Sequence, residues 1–225
     1  MPQFAAILPA AGSSTRFGGP VNKLHEILDG QTVLERSIAA FANRNDVVQV
    51  VIPARGELTL NLKSQKLTIC DGGPTRANSV WNALKNVRTD IEWVAIHDAA
   101  RPLVSQKLID ETLAAAVKYG AAVGAMPVTL TIKQATGPLP AKVECTIPRQ
   151  KLFAMQTPQI MRRSTLLQAF EKCPIPLDQV TDDVQLIELM GQEVWLVAGE
   201  ESNLKITTRV DLEIAKMYLN AIGAK

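Results

Sequence analysis

Residues 7–23, "ILPAAGSSTRFGGPVNK", leave a short apolar run and turn at once into small, flexible and basic residues. Small residues let backbone N–H groups approach a ligand closely, and a run of them forms an anion-binding concavity. Arg16 adds a forked donor and Lys23 a compact point charge, a pairing suited to a polyphosphate. Two common phosphate loops are excluded. The spacing after Gly12 never gives G-x-x-x-x-G-K-[ST], and G-x-G-x-x-G is absent. Taken alone, the loop leaves two readings open: a phosphate cradle, or a solvated loop whose cations bind nothing.

Two further stretches carry polar chemistry. "HDAARP", residues 97–102, offers Asp98 and Arg101. Asp98 reads as a helix cap, as the partner of Arg101, or as a carboxylate beside Mg²⁺ on a bound triphosphate; its place near the proposed phosphates favours the last. His97 reads as a structural histidine, because no second histidine lies nearby to complete a metal site. "DGGPTRANS", residues 71–79, offers Gly72 and Gly73 for close backbone approach and the Ser79 hydroxyl for a base. By itself it is also an ordinary glycine turn feeding a helix.

The elements that must position these residues alternate along the chain. Residues 4–8, 47–52, 67–70, 93–96 and 121–126 read as compact apolar strands bounded by turn or polar residues. Between them lie amphipathic stretches with helix starts: a capping box at Thr32–Glu35, caps at Thr75 and Ser105, and a second box at Thr208–Asp211. Repeated strand–helix–strand order predicts an α/β fold with a mainly parallel sheet covered on both faces. Ligands of such sheets bind beyond the carboxyl ends of the strands, where all three polar stretches fall. Residues 127–148 then alternate in a β manner around "ATGPLP" and read as a two-stranded arm. An isolated hairpin is rarely stable alone, so a homodimer partner is expected to cover it.

The 225 residues suit one large domain, 47% hydrophobic and 20% charged, with no interdomain linker in the pattern. A net charge of +2 argues for neither a nucleic-acid nor a membrane partner. No apolar stretch approaches a membrane span, and the N-terminus resembles neither a signal nor a transit peptide. Cys70, Cys145 and Cys173 fit no disulfide framework or metal knuckle, and are expected to be inert thiols in a reducing cytoplasm.

"PAAGSSTRF", Lys23, "DGG" with Arg76 and Ser79, "HDAARP", "PVTLTIK", "QTPQ" (156–159), "TDD" (181–183) and "NLKIT" (203–207) stand in order across nearly the whole chain. Together they resemble the 2-C-methyl-D-erythritol 4-phosphate cytidylyltransferase family. The resemblance implies a three-layer, Rossmann-like nucleotidyltransferase fold with a protruding arm, a homodimer joined through it, CTP as donor, and a divalent cation, usually Mg²⁺. It also implies transfer of CMP to 2-C-methyl-D-erythritol 4-phosphate with release of pyrophosphate.

Carried over by position, Arg16 and Lys23 hold the triphosphate and stabilise the transition state. Ala10, Ala11 and Gly12 line the nucleotide, Gly73 and Ser79 read cytosine, and Asp98, Ala99 and Arg101 lie near ribose and acceptor. Thr131 and Arg149 reach from the arm into the neighbouring subunit's site, while Thr157 and Lys205 line the acceptor pocket, Lys205 towards its phosphate. Three positions depart from the family pattern. "NKLH" stands where P-K-Q-[YF] is common, Leu130 where an acidic residue often precedes the arm threonine, and Pro74 at a variable position. A cytidylyltransferase for a pentitol phosphate such as ribitol 5-phosphate is the alternative; "DAAR" favours methylerythritol. A non-catalytic nucleotide-binding module leaves the cations of loop and arm unexplained.

Overall fold

The computed structural model describes residues 1–14, 17–18, 22–56 and 58–223. Strand β1 (Phe4–Ile7) is wholly buried, as a run without polar alternation requires of a strand covered on both faces. Phe4 and Ala6 face one apolar core and Ala5 and Ile7 the other, following the two-residue period of a strand. A short 3-10 turn, Lys23–His25, is capped by Asn22. The tiny strands β2 (Ile27–Leu28) and β3 (Gln31–Thr32) follow it. Asp29 and Gly30 turn that hairpin with φ of 52° and 76°, left-handed values that suit an Asp-Gly turn.

Helix α1 (Val33–Ala42) opens on the expected capping box: Thr32 Oγ1 accepts the Glu35 N–H at 3.1 Å, and the Glu35 carboxylate accepts the Thr32 N–H at 2.9 Å. Then come β4 (Val47–Ala54), β5 (Leu67–Asp71), α2 (Arg76–Lys85), β6 (Trp93–Ile96), α3 (Gln106–Tyr119) and β7 (Ala121–Pro127). Thr75 and Ser105 cap α2 and α3 through the N–H groups of Asn78 and Leu108. The arm strands β8 (Ile132–Ala135) and β9 (Val143–Ile147) pair only with each other, as a separate two-stranded sheet. The chain ends with β10 (Phe153–Arg162), α4 (Arg163–Glu171), α5 (Asp183–Leu189), β11 (Trp195–Ala198) and α6 (Arg209–Gly223).

The main sheet has seven strands in the order β11-β7-β10-β6-β1-β4-β5. Only β10 opposes its neighbours, β6 and β7; the other pairings are parallel. Helices α1, α3 and α6 bury residues such as Phe41, Leu113 and Leu212 on one face. Helices α2, α4 and α5 bury Val80, Phe170 and Ile187 on the other. Each such side chain contributes roughly 1.5–3 kcal/mol on leaving water, so the three layers close without staples. Strand β1 has β4 on one side and β6 on the other, which makes its carboxyl end the switch point of the sheet.

The sequence pattern did not foresee β10. Its proline, Pro158, argues against a central strand. The structure accommodates it where the β7–β10 register shifts, between Met155 and Gln159. Among the described residues, no helix is long and apolar enough to cross a membrane.

Candidate active site

Beyond the carboxyl ends of β1, β4, β5, β6 and β11 lies a cavity of about 360 Å³, within the range of small-molecule sites. After β1, Pro9, Ala11 and Gly12 form its floor, and Lys23 and Leu24 flank them. The turn after β5 supplies Gly73, Pro74 and Thr75, and the first residue of α2 supplies Arg76. Asp98 and Ala99 come from the end of β6, Lys205 from the loop after β11.

Close backbone packing shapes the wall. A Cβ at Gly72 would stand 2.4 Å from the Cβ of Ala11, and one at Gly73 would stand 2.4 Å from the Cβ of Asn78. Glycine is therefore required where these strand-end turns touch. Ser79 holds the turn: its Oγ accepts the Gly73 N–H at 2.9 Å and donates to the Thr75 carbonyl at 2.9 Å. Ser79 borders the cavity, but its hydroxyl proton is spent on its own loop.

Charge concentrates on Asp98. Its Oδ1 lies 3.3 Å from Arg76 Nε, and its Oδ2 lies 2.9 Å from Lys205 Nζ and 3.5 Å from Arg101 Nε. Burial alone would raise the pKa of Asp98, but Arg76, Lys205 and Arg101 outweigh it and hold the carboxyl far below the ordinary range. Arg76 also reaches Asp183 Oδ2 at 2.7 Å. Burial would lower the pKa of Arg76, yet Asp183 and Asp98 together push it above the usual value. Among the described residues, four cations (Lys23, Arg55, Arg76 and Lys205) and one carboxylate thus border the cavity, an arrangement suited to a polyanion. Among the described residues, no group of three or more His, Cys, Asp or Glu is placed to hold a metal ion. With Asp98 as the one carboxylate that borders it among the described residues, the cavity fits an ion carried largely by substrate phosphates, as Mg²⁺ commonly is.

Eight residues expected at the site border this cavity: Ala11, Gly12, Lys23, Gly73, Ser79, Asp98, Ala99 and Lys205. Arg16 lies outside the described residues. Ala10 borders an adjoining cavity of about 250 Å³ instead. Arg101, expected near ribose and acceptor, is buried behind the wall. Its Nη1 donates to the Asn203 carbonyl at 2.7 Å, because the chain folds back through the Arg101 N–H to the Asp98 carbonyl. Thr157, expected on the acceptor pocket, is also buried; its Oγ1 accepts the Asp98 N–H at 3.0 Å. Thr131 and Arg149 are exposed on the arm, where Arg149 donates to the Thr129 carbonyl, and neither borders the cavity. Arg55 was not singled out from sequence, and Arg76 and Asp183 entered only as part of the family resemblance, with no role of their own. Arg76 stands inside "DGGPTRANS" and could have been given one; nothing in "TDD" reveals that Asp183 is buried.

A family model described as 2-C-methyl-D-erythritol 4-phosphate cytidylyltransferase matches residues 4–221. The 2-C-methyl-D-erythritol 4-phosphate cytidylyltransferase of Gloeobacter violaceus is 38% identical over 221 residues, covering 95% of this chain and 94% of the relative. That of Solibacter usitatus is 34% identical over 237 residues, covering 98% and 97%. The crystal structure of the Francisella tularensis 2-C-methyl-D-erythritol 4-phosphate cytidylyltransferase superposes with a TM-score of 0.84 at 31% identity, covering 96% of this chain and 99% of that one.

Proposed function

The chain belongs to the 2-C-methyl-D-erythritol 4-phosphate cytidylyltransferase family, and we propose that its strand-end cavity carries out that transfer. CMP passes from CTP to 2-C-methyl-D-erythritol 4-phosphate, giving 4-diphosphocytidyl-2-C-methyl-D-erythritol and pyrophosphate. The observation that carries the reading is the convergence of Lys23, Arg76 and Lys205, with the carboxylate of Asp98, on a glycine-walled cavity.

An oxygen of the acceptor phosphate attacks the α-phosphorus of CTP while the bond to the pyrophosphate oxygen breaks in line. A phosphate monoester has a second pKa near 6 and is largely dianionic at neutral pH, so the attack requires no general base. Two anions must meet, and charge must build on the α-phosphoryl and leaving oxygens. Fixed cations answer that need best, because they are already oriented when the charge develops. Lys23 faces the triphosphate, a role the family pattern gives to Arg16 as well. Lys205 draws the acceptor phosphate towards the α-phosphorus, and holding both reactants together supplies much of the remaining acceleration.

The backbone of Ala11 and Gly12, with Ala10 beneath, lies along the nucleotide, and the Gly73 turn takes cytosine. Ser79 serves that turn as its prop. Asp98 and Ala99 face ribose, while Arg101 and Thr157 act by fixing Asp98 from behind. Asp98 is the protein group that would hold a divalent cation such as Mg²⁺, which when bound neutralises charge on the phosphoryl oxygens.

Residues 1–225 act as one nucleotidyltransferase domain with residues 127–148 as its dimerisation arm, presenting Thr131 and Arg149 to a partner's site. Exposed Leu130, Leu139 and Val143 on the arm support a covering partner. Three free cysteines accord with a cytoplasmic enzyme. The reading is tested by pyrophosphate release with 2-C-methyl-D-erythritol 4-phosphate across the four nucleoside triphosphates. Release with CTP far above the other three is expected. Equal release with all four, or none, would overturn it.

A further inference from the structure

We propose that Asp183 is a positioning residue for the transfer, acting through Arg76 and Asp98 on Lys205. Asp183 is fully buried and does not border the cavity, so it cannot touch substrate directly. Its carboxylate faces Arg76 Nη1 at 2.7 Å; the Nε of the same guanidinium lies 3.3 Å from Asp98 Oδ1, and Asp98 Oδ2 lies 2.9 Å from Lys205 Nζ. Four side chains from four separate segments thereby form one alternating line of charge, running from the core to the cavity wall.

The inner end of the line is held by the fold. Gln159 on β10 accepts the N–H groups of Asp183 and Val184 through Oε1, at 2.9 and 3.2 Å, and donates to Asp182 through Nε2 at 3.1 Å. Gln159 itself sits opposite Ile96, the residue before His97 and Asp98. The start of α5 is therefore referenced to the strand that carries Asp98. A guanidinium is planar and presents several donors in a fixed fork, so it bridges two carboxylates in a way a single ammonium does not.

The consequence concerns which partner each charge keeps. With Asp183 present, Arg76 divides its positive charge between two carboxylates, and Asp98 keeps one oxygen turned to Lys205. Without that inner anion, all of Arg76's positive charge is directed at Asp98 and the incoming phosphates. Lys205 then competes for Asp98 on worse terms and loses its fixed position. Asp183 would in this way set the geometry of a cation it never meets. This rests on the reaction proposed above for the same cavity.

The test uses Asp183→Asn, which keeps shape and removes charge, and Arg76→Lys, which keeps charge and removes the fork at a side chain that is 30% exposed. Each is expected to lower kcat about tenfold or more, with KM for CTP moving less, at unchanged secondary structure. Adding Asp183→Asn to Arg76→Met should cost little further kcat, because the intermediary is already gone. Wild-type kcat in Arg76→Lys or in folded Asp183→Asn, or losses that simply multiply in the double variant, would overturn the proposal. A second readout needs no turnover: with lysines ¹³C-dimethylated, the NMR signal of Lys205, assigned through Lys205→Arg, should shift in Arg76→Lys. An unmoved signal would overturn the relay whatever the reaction, whereas loss of wild-type turnover alone would count against the reaction.

Discussion

Thr157 Oγ1 lies 3.0 Å from His97 Nδ1, and the chemistry of its neighbours assigns every proton between them. His97 Nε2 faces the Arg101 carbonyl at 3.0 Å, which can only accept, so Nε2 carries the hydrogen. Nδ1 is then an acceptor, and the Thr157 hydroxyl donates to it. The same oxygen accepts the Asp98 N–H at 3.0 Å. The chain Asp98–Thr157–His97–Arg101 therefore closes on itself and pins the segment that carries the cavity's carboxylate. Thr157→Val keeps the volume and leaves the Asp98 N–H and His97 Nδ1 without partners. Each buried orphan costs roughly 1–3 kcal/mol. We predict a loss of that order in urea denaturation together with lower kcat; unchanged stability would refute the assigned bonds.

His97 also sets a pH dependence. Burial, opposed by its bond to the Arg101 carbonyl, lowers its pKa to about 4 from an ordinary 6.5. Between these values the unfolded chain binds a proton that the folded chain refuses. Stability is thus fully present above the unfolded pKa and falls as pH drops through the window, by at most about 1.4 kcal/mol per pH unit. The depressed carboxyl of Asp98 acts at lower pH, since its stabilisation is lost only as pH falls below the ordinary carboxylate range. Urea melts from about pH 6.5 to about 4.5 should show the decline, and His97→Gln should flatten it. An equal slope in the variant would assign the effect elsewhere.

Much of the fold was legible because it is local. Thr32, Thr75, Ser105 and Thr208 announced their helices, and unbroken apolar runs announced buried strands. The strand-end rule then placed the loops correctly without any knowledge of side-chain direction. Direction is what the sequence withheld. Arg101 stands beyond the end of β6 as Asp98 does, and Thr157 lies midway along β10, yet a turn at Arg101 and a buried neighbour for Thr157 send both inward. Asp183 was hidden for a related reason: burial of a charge depends on a distant arginine, and no periodicity reports it. Strand β10 escaped because its proline is tolerated only through a register shift that pairing alone creates.

The two cavity glycines Gly73 and Gly12 should respond differently to a methyl group. At Gly73 an added Cβ would stand 2.8 Å from the backbone carbon of Asn78, in the first turn of α2, which cannot yield cheaply. Overpacking of this kind costs typically 1–3 kcal/mol. At Gly12 nothing lies within 4 Å. Gly73→Ala should therefore lower the melting temperature and weaken CTP binding, measured by calorimetry, whereas Gly12→Ala should melt close to wild type. Equal melting temperatures for the two variants would show that the turn after β5 is looser than its contacts require.

The arm offers the sharpest test of the proposed dimer. Arg149 and Thr131 do not border the cavity of their own chain, and β8 and β9 pair with no other strand. If the arm completes a partner's site, the two chains of a symmetric dimer exchange arms, and each site draws Lys23 and Arg149 from different chains. On the proposed reaction, Lys23→Ala removes a charge that meets the triphosphate and should lower kcat about 10²-fold, as loss of a transition-state donor does. Arg149→Ala should raise KM for the acceptor much more than for CTP. In a heterodimer of the two variants, one site inherits both defects and the other inherits neither. Mixing should therefore restore activity towards about half that of the wild type per purified heterodimer, as two equivalent sites require. No recovery in heterodimers verified by differential tagging would mean that Lys23 and Arg149 do not meet across chains, and the arm would then need another role.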